Sequence, residues 1–279
     1  MYALTMGTKI LFSDDPAWVL SNAREFLASQ LVLHNLVLSI LDARVARSEP
    51  GRYWVATELG KTVGVVLQSP LSFAATLTPM EASVVAAVVD AIAAAGVVLP
   101  GVNGDAATAA SFAGQWTERC KASATPFMGT RIYELLEDGG TPNVKGELRR
   151  AVAKDRSLMI DWTRAFSAEV GEDASDDEGR VDRGLAAGQL WIWDDAETVS
   201  MAVARSPAER VSRIAGVYTP PELRKRGYAG ACVYALSKHL RDGGYRCMLY
   251  TDLANPTSNS IYRRIGYRAV GEALRYRFE

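Results

Sequence analysis

Residues 217–229, with the sequence VYTPPELRKRGYA, decide which fold this chain takes. The apolar run that opens the stretch predicts a strand, and Pro220 and Pro221 end it because neither can donate a ladder hydrogen bond. After Gly227, apolar residues recur at helical spacing, which predicts a helix. Gly243 follows that helix in the position typical of a C-terminal cap. The stretch therefore predicts a strand, a loop and a helix in that order.

The loop has the chemistry of an anion site. Arg224, Lys225 and Arg226 precede Gly227, and a glycine lets the backbone approach a ligand closely. The first amides of the following helix have no partner inside it and carry the positive end of its dipole, so they favour a phosphate. The loop lacks the patterns GxxxxGK[ST] and GxGxxG. The alternative is a helix start whose basic residues are solvated.

A second informative stretch, NPTSNSIYRRIGY, covers residues 255–267. Asn255 is a good helix N-cap, and Pro256 occupies the favoured first helical position. Tyr262 falls about two turns into this helix, and we expect its phenol to reach beyond the helix. The alternative is that Tyr262 is a half-buried packing residue.

In this order and separation, the two stretches resemble the GCN5-related N-acetyltransferase (GNAT) superfamily, over residues from about 146 to 279. Arg224-x-x-Gly227-x-Ala229 is similar to the family's pyrophosphate loop, Arg/Gln-x-x-Gly-x-Gly/Ala. The second stretch is similar to its Asn…Tyr helix, which precedes a Gly-Phe/Tyr strand. The resemblance implies an acetyl-CoA-dependent N-acetyltransferase, in which an amine attacks the thioester directly.

The resemblance also implies roles for individual residues. Backbone groups before the loop would bind the pantetheine arm and the acetyl carbonyl, and the loop amides would bind the pyrophosphate. Tyr262 would protonate the departing CoA thiolate, whose pKa of about 8.5 makes a nearby proton donor useful. The implied CoA-binding residues are Val217, Tyr218, Thr219, Arg224, Lys225, Arg226, Gly227, Tyr228, Ala229, Asn255, Ser258 and Asn259.

The general base and the acceptor stay open in the sequence. Glu169 and Glu222 are candidate bases, and an amine that arrives neutral needs none. The acceptor is expected to be a small-molecule amine or a peptide. A run of acidic residues between positions 169 and 182 allows two interpretations: it attracts a cationic acceptor, or it is a solvated surface. The run consists of Glu169, Glu172, Asp173, Asp176, Asp177, Glu178 and Asp182.

The N-terminal half is similar to the same fold in its order of elements, among them a short strand predicted at Val97–Leu99. Between Leu77 and a helix at Glu81 it has only Thr-Pro-Met, without the phosphate-loop pattern. We therefore predict a degenerate GNAT-like domain that binds no CoA at 1–137, a linker at 138–146 and a catalytic domain at 147–279. The alternative for the N-terminal half is an unrelated α/β cap. The predicted class is α/β (α+β), with tandem GNAT-like domains and a mixed, mostly antiparallel sheet flanked by helices.

Composition narrows the remaining function classes. With 31 basic and 32 acidic residues the net charge is −1, which does not favour a nucleic-acid partner. The two histidines and three cysteines lack metal-ligand spacing, so no metal is expected. The apolar stretch 84–100 is broken by Asp90 and Gly96, and the N-terminus lacks the pattern of a signal peptide. We expect a cytoplasmic monomer or homodimer without a membrane partner. The alternatives are a non-catalytic CoA-binding or regulatory module, or an acyltransferase that uses another acyl-CoA.

Overall fold

The structure is a computed structural model that describes residues 7–171 and 174–279. The chain divides into two compact units. Unit 1 contains the residues up to Ile132, together with Asp252–Ala254 and Ala269–Glu279, and unit 2 contains Tyr133–Thr251 and Asn255–Arg268. The predicted linker 138–146 runs as a loop in unit 2. The domain limits inferred from the sequence stay a prediction.

Unit 1 is a mixed sheet with helices. Its strands follow the order β1-β2-β3-β4-β5-β12-β6. The elements are β1 (Lys9–Ser13), α1 (Pro16–Ser29), α2 (Asn35–Ala46), β2 (Arg52–Glu58), β3 (Lys61–Gln68), β4 (Ala75–Leu77), α3 (Ala82–Ala94), β5 (Gly101–Asp105), α4 (Ala106–Cys120), most of β6 (Ala124–Leu135) and most of β12 (Tyr267–Phe278). Only β4 and β5 pair in parallel among the pairs resolved here between β1, β2, β3, β4, β5 and β12.

One predicted element of unit 1 is wrong. The sequence places a short strand at Val97–Leu99, but the strand is β5 and begins at Gly101. Val98 is 83% exposed, so the apolar run does not lie in the sheet. Pro100 intervenes without a donor, and its carbonyl instead accepts from the amide of Phe278 at 3.0 Å.

Unit 2 also combines a sheet with helices. Its strands follow the order β11-β10-β9-β8-β7, with the end of β6 beside β11. The elements are β7 (Glu147–Arg150), α5 (Arg156–Val170), α6 (Asp177–Ala186), β8 (Leu190–Asp195), β9 (Glu197–Ala204), β10 (Val211–Tyr218), α7 (Tyr228–Asp242), β11 (Arg246–Asp252) and α8 (Pro256–Arg264). The pairs β7–β8, β8–β9 and β9–β10 are antiparallel, and β10–β11 is parallel. The predicted class, α/β with mostly antiparallel sheet flanked by helices, is confirmed.

The sheet of unit 2 has a core on each face. On one face, Ile214 and Leu249 pack with Cys232 and Leu236 of α7 and with Tyr262 of α8. On the other face, side chains of α5 and α6 pack against β9 and the end of β10. The residues of this second core include Met159, Ile160, Trp162, Val181, Met201, Val203 and Tyr218. Among the helices of 7–171 and 174–279, none combines the length and the apolar character that a membrane crossing requires.

Candidate active site

The two parallel strands of unit 2 pair over only part of their length. Val211–Ile214 is in register with Arg246–Leu249. Further on, Ala215 and Tyr218 pair with β9 on the other side, with a bulge between them at which Gly216 has φ +54°. Within residues 211–252, all of which the structure describes, the second half of β10 therefore keeps its β11-facing edge for another partner.

The end of β10 is fixed by hydrogen bonds from the neighbouring strand β9 and by packing of the Tyr218 ring. The hydroxyl of Ser200 donates to the carbonyl of Tyr218 at 3.0 Å and lies 2.9 Å from Oγ1 of Thr219. The ring of Tyr218 lies 5.9 Å from that of Trp162, and the guanidinium of Arg224 lies 5.7 Å from the Tyr218 ring. Burial raises the pKa of Tyr218. The side chain of Tyr218 is thus a packing residue, and its strand offers a ligand backbone groups.

The loop from Thr219 to Gly227 ends in a helix start that requires glycine. Gly227 has φ +88° and is the N-cap of α7. A Cβ at this position would lie 2.9 Å from Cγ2 of Val144, so a side chain would be both strained and crowded. The amides of the first turn, from Tyr228 onward, have no carbonyl partner within the helix. They are the donors that the fold leaves for a ligand.

The two arginines of the loop brace it. Arg224 donates from Nε to the carbonyl of Thr219 at 2.9 Å and from Nη2 to Oε1 of Glu169 at 2.5 Å. Arg226 donates to the carbonyl of Glu222 at 3.3 Å. The hydroxyl of Tyr228 donates to Asp195 at 2.8 Å, and this hydrogen bond raises the pKa of Tyr228.

The start of α8 follows the sequence prediction. Oδ1 of Asn255 accepts from the amide of Ser258 at 3.0 Å, with Pro256 in the first turn. Asn259, which is among the predicted CoA-binding residues, is buried. Its Nδ2 donates to the carbonyl of Asn255 at 2.7 Å, and its Oδ1 accepts from the hydroxyl of Tyr133 at 3.0 Å. The amide of Asn259 therefore supports the helix from inside.

Tyr262 lies in the core of unit 2 and is 8% exposed. Its ring lies 6.5 Å from that of Tyr133 and 6.1 Å from that of Tyr267. Burial raises the pKa of Tyr262 well above its ordinary value, so the phenol keeps its proton at neutral pH. The expectation that this phenol reaches out beyond its helix is replaced by a packed ring, and its role as an acid stays a prediction.

The acidic run is largely neutralised by arginines. Glu172 and Asp173 lie outside the described residues. Every other carboxylate of the run makes an ion pair, as follows: Glu169 with Arg224, Asp176 with Arg183, Asp177 with Arg180, Glu178 with Arg164 and Asp182 with Arg156. The hydrogen bonds of Asp176 and Asp182 to their arginines lower the pKa of each carboxyl. The five described carboxylates of the run therefore offer a cationic acceptor a weaker electrostatic field than their number in the sequence suggests.

The structure places the predicted loop residues in one continuous segment and brings the two helices that carry the other predicted residues into contact. Thr219 to Ala229 run without a break from the end of β10 into α7, and a Cβ on Gly230 of α7 would lie 3.3 Å from Ile261 of α8. Sequence reasoning missed Ser200, since a buried serine in a strand carries no local signal. It also missed the guanidinium of Arg213 on β10, because the surroundings of a strand residue depend on pairing.

Comparison with known proteins agrees with this arrangement. The model of the FR47-like protein family matches residues 193–276, from β8 to the end of β12. A search of curated proteins found no match.

Solved structures match nearly the whole chain. A GNAT-family acetyltransferase from Colwellia psychrerythraea is 11% identical, with a TM-score of 0.64 over 97% of this chain and 100% of the other. A GCN5-related N-acetyltransferase from Sphaerobacter thermophilus is 15% identical, with a TM-score of 0.64 over 96% and 95%. A tandem GNAT protein from the clavulanic acid biosynthesis pathway is 11% identical, with a TM-score of 0.57 over 96% and 98%. The chain thus has the tandem fold of the GCN5-related N-acetyltransferases, as its motifs predict, with an FR47-like region in its C-terminal part.

Proposed function

We propose that this protein is an acetyl-CoA-dependent N-acetyltransferase that transfers an acetyl group to a primary amine by direct attack. The observation that carries the proposal is the opening between β10 and β11, which leads directly into a glycine-capped helix start. A strand edge without a neighbour and a set of unused helix amides are adjacent in the chain. Together they suit a ligand that has an amide-bearing arm joined to a pyrophosphate.

The residues present fit such a donor. The backbone of Val217, Tyr218 and Thr219 would bind the pantetheine arm and the acetyl carbonyl. The amides from Arg224 to Ala229 would hold the pyrophosphate, because the left-handed φ of Gly227 turns the loop directly into the first turn of α7. The positive charge of Lys225 and Arg226, both exposed, favours the same anion. Asn255 and Ser258 would lie beside the arm, whereas Asn259 acts from the interior.

The chemistry needs few protein groups. CoA supplies an acetyl thioester, an activated acyl group that an amine attacks without a covalent enzyme intermediate. Backbone amides at the end of β10 would stabilise the oxyanion of the tetrahedral species. Tyr262 would give its phenol proton to the leaving thiolate; a phenol is protonated at neutral pH even at its ordinary pKa, and burial raises the pKa of Tyr262 further. The buried thiols of Cys232 and Cys247 take no part, since burial raises the pKa of each to about 12.

For the general base there are three possibilities: Glu169, Glu222 or no base at all. Glu169 lies at the loop through its ion pair with Arg224, and Glu222 is exposed just before it. An amine that enters without its proton needs neither residue. For the acceptor we propose a small-molecule amine or a peptide, the class that the family resemblance implies. A monomer or homodimer in the cytoplasm remains the expectation from the sequence.

Two experiments test the proposal. Thiol release from acetyl-CoA in the presence of a panel of primary amines should exceed the release without amine. Isothermal calorimetry with CoA should give one site per chain. CoA binding without thiol release for any amine would favour the non-catalytic module, and faster release from propionyl- or longer acyl-CoA would favour another acyl donor.

A further inference from the structure

A guanidinium on β10 has a buried nitrogen without a partner. Nη1 of Arg213 is shielded from solvent and makes no hydrogen bond to any described residue. An arginine carries five donors, and leaving a charged donor buried and unpaired is costly. Among the described residues, the other buried side-chain atoms in this state belong to His34, Tyr53 and Asp177, so Arg213 is the one cationic case.

The position of Arg213 relates it to the opening. Arg213 is paired with Met248, one residue before the parallel pairing ends at Ile214 and Leu249. Strand residues rise by about 3.3 Å each, so the Arg213 backbone lies only about 7 Å from the first residues of the open edge. A ligand group that occupies the opening therefore comes within reach of a long arginine side chain.

The side of the sheet matters as well. Ile214 and Leu249 face α7, the helix whose start we assign to the pyrophosphate. Because side chains alternate along a strand, Arg213 faces the other side, towards α5 and α6. Ala215, two residues on, agrees with this assignment, since its partner Val203 belongs to the core beneath α5. Arg213 thus lies on the face from which an acceptor would approach if the donor occupies the other face.

The ring of Tyr250 fixes the direction of this side chain. The guanidinium carbon of Arg213 lies 5.6 Å from the centroid of the Tyr250 ring. Tyr250 lies on β11 just past the paired segment, on the same face as Met248. A guanidinium stacked in this way still presents its edge donors to a ligand, and a carboxylate matches that edge in two parallel hydrogen bonds.

We propose that Arg213 binds a carboxylate of the acceptor, so that the acceptor is an amino acid or another amine that carries a carboxylate near its amino group. This inference rests on the proposed function, because it takes the acceptor to be an amine. The acidic run does not oppose it, since its described carboxylates are paired with arginines. The carboxylate would supply the partner that Nη1 lacks.

The test compares acceptors that differ only in the carboxylate. Thiol release from acetyl-CoA is measured with several α-amino acids, with their C-terminal amides and with the corresponding decarboxylated amines. The wild-type protein should prefer the acids by at least about tenfold in kcat/KM. Arg213→Met should reduce kcat/KM for the acids by about 10- to 100-fold and leave the values for the decarboxylated amines nearly unchanged. Arg213→Lys keeps the positive charge but loses the paired donors of the guanidinium, so its kcat/KM for the acids should lie between those of the wild-type protein and Arg213→Met.

Arg210→Met is the matched control. Arg210 lies just before the same strand and stacks on Tyr245 at 5.9 Å, but its Nε and Nη2 donate to the carbonyl of Gly244. Its replacement removes a stacked arginine without touching an unpaired buried donor, so the preference for acids should persist. Equal rates on acids and amides in the wild-type protein would overturn the inference even if an Arg213 variant fails to fold.

A binding measurement separates the inference from the proposed function. Calorimetric titration of the best amino acid into the CoA-saturated full chain should give a dissociation constant that rises about tenfold or more in Arg213→Lys. Arginine-dependent binding without thiol release would contradict the proposed transfer and support the carboxylate site. Thiol release that does not distinguish acids from amides would support the transfer and overturn the carboxylate site.

Discussion

The chain makes a strand, a loop and a helix twice, and the two copies differ where a ligand would lie. In unit 1, β4 leads through Thr78 to Glu81 into α3; in unit 2, β10 leads through Thr219 to Gly227 into α7. Glu81 caps α3 with an ordinary φ of −66°, whereas Gly227 caps α7 at +88°. An acidic cap with a Cβ occupies the place where the second copy has glycine and three basic residues. We therefore expect the first loop not to bind a phosphate.

The first loop is also filled by its own chain. The hydroxyl of Thr78 accepts from the amide of Val65 at 2.9 Å, and the amide of Met80 donates to Thr108 at 3.0 Å. The side chain of Met80 covers Gly64 so closely that a Cβ there would lie 2.2 Å from its sulfur. In unit 1, hydrogen bonds and packing thus fix the loop between β4 and α3 against neighbouring segments of the same unit.

The strands beside the loops differ in the same sense. All three residues of β4 pair with β5, and a Cβ on Gly104 would lie 2.9 Å from Leu77. In unit 2 the parallel pairing stops at Ile214, and the rest of β10 extends past it. The common scaffold therefore does not make a donor site by itself. The donor site that we propose depends on an interrupted strand pair together with a glycine and a basic loop.

The helices that follow extend the comparison to single residues. Asp105 caps α4 by accepting from the amide of Thr108 at 3.1 Å, as Asn255 caps α8 through Ser258. Seven residues after each cap stands an aromatic residue, Phe112 in unit 1 and Tyr262 in unit 2. Both rings are buried, so what distinguishes the second copy is a hydroxyl.

The largest expected effect comes from removing that hydroxyl. Tyr262→Phe should lower kcat by about 10²- to 10⁴-fold, the usual cost of losing a general acid, while CoA affinity in calorimetry stays nearly unchanged. The converse change, Phe112→Tyr, buries a hydroxyl and should lower the free energy of unfolding by about 1–3 kcal/mol without changing kcat. Unchanged turnover in Tyr262→Phe would leave Tyr262 as a packing residue, like Phe112.

The second largest effect concerns the helix cap. Gly227→Glu gives the second loop an acidic cap like that of the first, and it should weaken CoA binding by about 100-fold or more. Gly171→Glu is the matched control, because Gly171 also has a left-handed φ of +68° and has open space around it. Both variants place the same charge on a glycine with a left-handed φ, and Gly227→Glu additionally crowds Val144, so the fold of each variant is checked by circular dichroism. An equal loss of CoA affinity in the two folded variants would refute a phosphate site at Gly227. A second CoA site in the wild-type chain would contradict the expectation that the loop of unit 1 binds no CoA.

Much of this site could be predicted from the sequence, because its signals are local. Two prolines, a glycine and a helical repeat mark the loop and α7, and Asn255 with Pro256 marks α8. The structure confirms each of these elements. The lack of a phosphate loop before Glu81 is equally visible in the sequence, since it concerns only a few residues in a row.

What the sequence could not provide depends on contacts between distant segments. The strand pattern near residue 273 does not reveal that Ala273 pairs with Asp105 and so belongs to unit 1. The unpaired nitrogen of Arg213 exists only because of its neighbours in the sheet. Three carboxylates of the acidic run, Glu169, Glu178 and Asp182, likewise pair with arginines of other elements, so the charge counted along the chain overestimates the field of the described part of the run.

A smaller effect is expected in the pH dependence of turnover. Burial raises the pKa of Tyr262 above its ordinary value of 10.0, so the neutral acid should persist beyond pH 10. Its deprotonation should therefore cause no fall in kcat between pH 7 and 10, because the charged form appears only above the raised pKa. The profile of kcat with a saturating amine checks this. A descending limb below pH 10 that disappears in Tyr262→Phe would mean that the phenol titrates normally.

The smallest expected effect distinguishes two exposed ion pairs. Arg224–Glu169 in unit 2 and Arg119–Asp90 in unit 1 are both solvent-exposed, so Glu169→Gln and Asp90→Asn should each change the free energy of unfolding by less than about 1 kcal/mol. Only the first pair adjoins a ligand loop. Removing the negative charge of Glu169 should tighten CoA binding by about two- to fivefold at low ionic strength, and salt should reduce the gain because such fields are screened within roughly 10 Å. Asp90→Asn should leave CoA affinity unchanged. A fall of kcat by about 100-fold or more in Glu169→Gln, with loss of the acidic limb of the pH profile, would instead assign Glu169 as the general base and limit its pairing with Arg224 to the ligand-free protein.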